Sequence, residues 1–375
     1  MTRTWLRWLP AATVPAVIAA GVLTGSLPAS AQDPLPAKSP QQVLELVAQH
    51  RQTSFSGTLE QTSELGLPEL PQTGPGTASA DTAWLELLTG PHTARVYRDG
   101  AQNARVQVMD RLAERDVIRH GNELWFYNSK DNTAAHAVLP ARSGDRHPSG
   151  QESVPTPDVL AAKLLATLDR SSDVSVGADV EVAGRAAYRL VLTPRSSTTL
   201  LASVAVSVDG QSGMPLGVEL RARGQAEPAF SVAFTKLSLE APDAAIFQFS
   251  PPPGATVKEL PVPDHKAAGA KERPGPATKA PAAAARDKAK ISGTGWESIV
   301  ELPAGTVPQA ALGNGTPQQQ GKPGSAASLL AQAAVPVAGG RLLSSALLNV
   351  LILDDGRILA GSVPLERLQA AAAAR

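Results

Sequence analysis

Cysteine is absent from all 375 residues. That excludes disulfides, a thiol nucleophile, thiolate metal ligands and a lipid-modified N-terminal cysteine, so the chain must be held together by its core alone. Charge of one sign is not in excess either: 34 basic side chains face 34 acidic ones, and no nucleic-acid footprint follows from that balance. The six histidines, His50, His92, His120, His136, His147 and His265, never stand three or four residues apart, which leaves metal binding without local support. No serine lies in a G-x-S-x-G elbow and no glycine-rich turn has phosphate-loop spacing, so the reading is that the chain is not an enzyme and carries no cofactor.

What is present begins with residues 1–31. Arg3 and Arg7 precede an apolar run from about Leu9 to Leu27, broken by Pro10 and Pro15 and ending at Ala29-Ser30-Ala31. This is the pattern of a secretory signal peptide cleaved after Ala31, and it places the mature chain outside the cytoplasm, in the periplasm or at the outer face of the cytoplasmic membrane. The alternative is an uncleaved N-terminal anchor. Loss of the leader takes Arg3 and Arg7 with it and leaves a small acidic excess.

The mature chain has room for two domains. Ser39-Pro40-Gln41-Gln42 reads as a capping box opening a helix with Val43, Leu44, Leu46 and Val47 on one stripe. From Thr53 the period changes to two, and short strands follow around 96–98, 106–108, 116–119, 124–127 and 135–138. Their turns, including Asp99-Gly100 and His120-Gly121-Asn122, fit antiparallel hairpins. A Gly- and Pro-rich loop from Leu65 to Thr77 interrupts them early. Thr156-Pro157-Asp158 starts a second helix running to about Leu168, and four more strands follow near 186–193, 202–208, 216–223 and 230–239. The fold class is α+β: an antiparallel meander, apolar on one face, with more apolar area than two helices can cover. Such a sheet either curls around its own core or keeps room for an apolar guest.

Residues 258–290 are rich in Ala, Pro and Lys and read as a solvated linker. A smaller unit occupies 291–375, with strands at 296–302, 347–353 and 358–363, a flexible insert at 313–324 and a closing helix from Pro364. The domain boundaries are therefore 1–31, 32–257, 258–290 and 291–375.

Read in order, the capped helix, SFSGTLEQTS, VIRHGNELWFYN, AGRAAYRLVLTPR, SGMPLGVELRARG and FSPPPGATV resemble the superfamily of bacterial lipoprotein carriers of the LolA kind and the related RseB-type regulators of envelope stress. The resemblance spans about residues 40–257. It implies an unclosed antiparallel half-barrel, curved and lidded by helices, with an apolar cavity that holds a lipid acyl chain or lipoprotein. GWESIVELPAG and RILAGSVPLERLQ resemble the small C-terminal α+β domain of the RseB type, which implies as alternative function a negative regulator binding a membrane-anchored anti-sigma factor. The cavity expected from this likeness is lined by the apolar members of the alternating strands: Phe55, Leu59, Val106, Val108, Trp125, Tyr127, Leu190, Val204, Val206, Val218, Leu220, Val232 and Phe234. Each is equally placed to be ordinary core, and Trp125 and Tyr127 suit a cavity mouth by their amphipathic rings.

Overall fold

The computed structural model describes residues 35–67, 90–109, 113–139, 156–166, 171–260, 289–305 and 333–374. The leader, the central part of the linker, most of the early Gly/Pro loop and the insert at 313–324 lie outside the described residues. All elements named below belong to one unit, Lys38–Arg375.

Helix α1 (Pro40–Gln49) starts as its sequence dictates. Gln42 N donates to Ser39 Oγ at 3.3 Å and Ser39 N donates to Gln42 Oε1 at 2.8 Å, so two otherwise orphaned N–H groups are satisfied reciprocally. Its Val43 is fully buried. The close seat of α1 depends on Gly213, whose φ is +74° and where a Cβ would stand 2.3 Å from the Leu46 carbonyl oxygen.

The large sheet has 13 strands. They are β1 (Ser54–Ser63), β2 (His92–Asp99), β3 (Asn103–Met109), β4 (Glu114–His120), β5 (Glu123–Asn128) and β6 (Thr133–Val138). After helix α2 (Pro157–Ala166) come β7 (Ser172–Val176), β8 (Val180–Val182), β9 (Arg185–Pro194), β10 (Leu201–Asp209), β11 (Pro215–Ala222), β12 (Phe230–Ser238) and β13 (Thr256–Glu259). The order is β13-β6-β5-β4-β3-β2-β1-β12-β11-β10-β9-β7, with β8 also on β9, so among the described residues the path is open and no barrel closes. The sheet curls enough for β8 to pack back against β12.

Three features depart from the expected plain meander. Strands β7 and β8 extend the sheet beyond β9. The chain returns to the middle by pairing β12 with β1, with a bulge at Thr58/Leu59. Finally, β13 runs parallel to β6, so the sheet is mixed.

The smaller sheet comprises β14 (Lys290–Ser292), β15 (Ile299–Leu302), β16 (Val335–Val337), β17 (Gly340–Ser344), β18 (Asn349–Leu353) and β19 (Ile358–Gly361), in the order β14-β15-β19-β18-β17-β16. The strand expected from Trp296 begins only at Ile299, because Gly295–Glu297 forms a turn of 3-10 helix. Helix α3 (Leu365–Ala373) covers one side, where Ile299, Leu351, Leu353, Leu359, Val363 and Leu368 make a separate core.

The two sheets are joined by hydrogen bonds. Leu200 N and Thr199 Oγ1 both donate to the Ser362 carbonyl at 2.8 Å, Trp296 Nε1 donates to Ser172 Oγ at 2.7 Å, and Ala346 N donates to the Leu65 carbonyl at 2.8 Å. Glu297 accepts from the hydroxyls of Ser196 and Thr198.

Candidate functional site

Residues directly opposite in an antiparallel ladder point to the same side, and the side alternates along each strand. Following the register therefore sorts the whole large sheet into two faces. Leu190, Val206, Val218, Val232 and Gln61 form one continuous row, and Val204 and Leu220 stand opposite each other in the next. Leu59 opposes Phe234 and Ala94, Ala94 opposes Val108, and Val96 opposes Val106 on that same face. We call it the inner face, because both helices lie on it. Helix α2 packs on β11 and β12 and α1 near β7 and β9.

Eleven of the thirteen expected positions share the inner face, and ten of these are buried: Phe55, Leu59, Val106, Val108, Leu190, Val204, Val206, Val218, Val232 and Phe234. Leu220 is half-buried. Phe55 and Phe234 meet edge to face at 5.9 Å and 89°. One core cluster joins these rings to Leu59, Val96, Val106, Val108, Met214 and Leu216, with Val180, Val182, Leu237 and Leu239 against it.

Trp125 and Tyr127 are placed elsewhere. The register runs Val106–Val117–Phe126, which puts Phe126 on the inner face, whereas Arg105–Ile118–Trp125–His136 and Asp116–Tyr127 lie on the outer one. There both rings pack on Phe249, at 5.4 Å and 5.6 Å, and Trp125 stacks on His136 at 4.2 Å. A strap from Ala244 to Glu259 covers this outer region. Its Phe247 is 1% exposed, and the Ile246 carbonyl accepts from Arg105 Nη1 at 3.1 Å.

The buried charges are paired unequally. Arg105 Nη2 lies 2.6 Å from Asp116 Oδ2, yet burial outweighs that contact and pushes the Asp116 carboxyl above its ordinary value. At the end of β10 burial likewise pushes Asp209 up. The hydrogen bonds from Arg185 and from Ser212 Oγ and N together exceed that effect and hold the Asp209 carboxyl below the ordinary range.

One ion pair lies at the lid. Arg98, on the inner face at the end of β2, reaches Asp158 in the first turn of α2 through a single 3.4 Å contact. Asp158 Oδ1 is buried without a hydrogen-bond partner among the described residues. Sequence reasoning overlooked this pair and its neighbour Arg119, although a signal was present. In β2 and β4 the arginines fall at the same alternate positions as valine, as in V-x-R and R-x-V-x-R. A separate cleft of about 360 Å³ in the smaller sheet is lined by Lys290, Glu301, Pro303, Ala304, Asp355 and Arg357. Its Arg357 is already engaged by Asp355 at 2.8 Å and Glu301 at 3.0 Å.

A large open sheet with helices on one face and a smaller sheet beside it invites comparison with known structures. The chain is similar to MucB. The MucA/MucB complex of Pseudomonas aeruginosa matches with 16% identity over 89% of this chain and 96% of that one, at a TM-score of 0.40. MucB in complex with MucA(peri) matches with 17% identity over 88% and 96%, at 0.41. A LolA superfamily protein from Nitrosomonas europaea matches with 14% identity over 57% of this chain and 99% of that one, at 0.23. No protein-family model and no curated protein matches the sequence. Among the described residues no helix is long and apolar enough to cross a membrane, and no group of His, Asp or Glu could hold a metal ion.

Proposed function

We propose that the chain is a non-enzymatic, exported binding protein that holds an acyl chain, free or as part of a lipoprotein, against the inner face of its large sheet. The observation that carries this reading is the inner face together with its lid. Apart from Gln61 and Arg98, the inner face across β9–β12 and β1–β3 is mostly apolar and buried, and among the described residues the ten-residue helix α2 above it makes one long ion pair to β2. Besides that pair, α2 is seated by its packing on β11 and β12, with Ala161 fully buried, so a ligand entering beneath it replaces apolar contacts with apolar contacts. Each CH₂ taken from water contributes about 0.8 kcal/mol, so a chain of roughly 14–16 carbons offers on the order of 10 kcal/mol before ordering costs. No polar recognition is required, which explains why so few motifs betray the function. The leader and the resemblance to carriers and envelope regulators support export.

Lipid extraction of the purified mature protein followed by mass spectrometry tests this. Bound acyl lipid in near-stoichiometric amount is expected. A lipid-free protein that also fails to take up a fluorescent fatty acid would remove the reading.

A second reading is favoured by a different surface. On the side of the smaller sheet away from α3, Ile291, Val300, Ala360, Val350 and Leu343 form a row across five paired strands, with Ile291 71% and Val300 36% exposed. That row suits a protein partner, and the resemblance to RseB-type regulators suggests a membrane-anchored anti-sigma factor. The paired change Ile291→Glu with Val300→Glu in the full chain is expected to abolish capture of such a partner in pulldown while leaving acyl binding intact. Undiminished capture would assign the partner surface elsewhere.

A further inference from the structure

One cluster of buried ionisable groups serves neither the inner face nor the joint between the sheets. It lies on the outer face, where Arg105 and Gln107 of β3 stand beside Glu114, Asp116 and Ile118 of β4. Glu114 and Asp116 are two positions apart and so share that side of their strand. The strap closes over them. Its turn Ala244–Phe247 packs on β3 and β4, Phe247 is buried, and the Asp116 side chain is 2% exposed.

Two carboxyl groups there face a single guanidinium. Arg105 is divided between Asp116 and the strap, with Nη2 2.6 Å from Asp116 Oδ2 and Nη1 donating to the Ile246 carbonyl at 3.1 Å. Asp116 Oδ1 is buried without a hydrogen-bond partner among the described residues, and Glu114 accepts from a neutral amide, Gln107 Nε2, at 2.7 Å. The Glu114 and Asp116 carboxyls bond to each other only with a proton between them, because an ionised carboxylate has nothing to donate. The surrounding elements bring no second cation into contact. Tyr127, opposite Asp116, turns its hydroxyl to Asn132 at 3.3 Å, Arg95 beyond Gln107 is exposed, His136 on β6 faces Glu259, and Asp243 at the head of the turn is exposed and caps Ala245 N. With both carboxyls ionised the closed cluster holds a surplus negative charge, and one proton brings it to neutrality.

We infer that the strap is a proton-gated clasp: a single proton held between Asp116 and Glu114 keeps the turn Ala244–Phe247 down on β3 and β4, and its loss as pH rises lets the turn lift. Burying a surplus charge is costly, whereas water solvates both carboxylates once the turn is raised. The closed strap therefore binds the proton more tightly than the open one, and linkage makes closure stronger in acid. Burial, which pushes the Asp116 carboxyl above its ordinary value, acts with the same sign. Raising the strap bares Phe247 and draws Phe249 away from Trp125 and Tyr127, so the outer face passes from sealed to apolar as pH rises. None of this depends on what the inner face binds.

Hydrogen exchange of the full mature chain between pH 4 and 8 tests the clasp, with rates expressed as protection factors so that the intrinsic pH dependence of exchange is removed. The amides of Ile246, Gln248 and Thr256, bonded to the carbonyls of Asp243, Ala245 and Asn132, are expected to lose about tenfold in protection as pH rises, the change that one linked proton gives over a single pH unit. Strands β9–β11 should keep theirs. Glu114→Gln removes the surplus charge while leaving Arg105 and Asp116 paired, so its strap should hold the acid level of protection at every pH. Asp116→Asn should flatten the profile as well; because it strips Arg105 of its counter-charge and endangers the fold, Glu114→Gln is the deciding variant. Protection that stays constant across the range in the wild type, or a Glu114→Gln chain that keeps the wild-type slope, would overturn the clasp. A parallel loss in β9–β11 would assign the effect to the whole fold and overturn it too.

Discussion

Phe234→Ala should destabilise the protein by about 3–5 kcal/mol, the cost typical of emptying a packed aromatic site. Phe234 is 2% exposed, meets Phe55 edge to face at 5.9 Å, and presses so close to β1 that a Cβ on Gly57 would stand 2.7 Å from its ring. Nothing nearby is free to collapse into the space, because Gly57 and Lys236 contribute backbone on that side. Urea denaturation followed by circular dichroism reads the change as a lower midpoint at constant slope. The result also separates two meanings of the inner face. A loss below about 1 kcal/mol would mark Phe234 as part of a pliant ligand surface whose neighbours close over the gap, since rigid cores do not behave so.

The second large effect is electrostatic. Asp209 is 1% exposed, accepts two hydrogen bonds from Arg185 at 2.8 Å and 2.9 Å, and accepts two more from Ser212 at 2.8 Å and 2.6 Å. Asp209→Asn leaves Arg185 without its counter-charge, and a loss of about 3 kcal/mol or more is expected near neutral pH. The pH dependence has a definite sign. A carboxyl held below its unfolded value contributes stability that is present above about pH 4 and is lost as pH falls through the folded value. The variant should therefore approach the wild type in stability as the solution is acidified. Asp116, pushed up by burial, works in the opposite direction: its contribution is present in acid and is lost as pH rises through its folded value. Thermal melts of both chains between pH 2 and 7 check the prediction, and a difference that stays constant across that range would refute it.

How much of this was legible beforehand depended on whether the determining contacts were local. Capping of α1 by Ser39 and Gln42 is a four-residue matter, and it is present as read. The hairpins from β2 to β6 follow from alternation and from turns at Gly100 and Gly121, which are equally local. Strand β13 carries no such signal. The four exposed residues Thr256–Glu259 are held by parallel pairing to a strand more than a hundred positions earlier, and only the folded sheet supplies that edge. In β16, Pro336 hides a three-residue edge strand that a central position would not tolerate.

The site shows the same division. Alternation within one strand yields two phases, and where both are apolar only pairing with a neighbour tells which is inside. In ELWFYN the larger amphipathic rings, Trp125 and Tyr127, suited a cavity mouth, but the register with β4 turns Phe126 inward and gives the other two to Phe249. Arg98 and Arg119 could be seen in the sequence as cations at valine positions, yet their shared row is created by β3 lying between them.

The strap also has a bearing on how the protein ripens. Strand β6 receives its outer neighbour only when the chain has run on past the whole sheet and back to Thr256, with Val138 beside it 58% exposed and Val257 46% exposed. Until that last piece arrives, the nascent molecule presents a raw seam of unsatisfied amides flanked by oily side chains, well suited to zip onto a neighbouring copy. A chain of this design gains from a chaperone that shields the seam until synthesis is finished, and a truncation before Thr256 would keep that hazard for the life of the molecule.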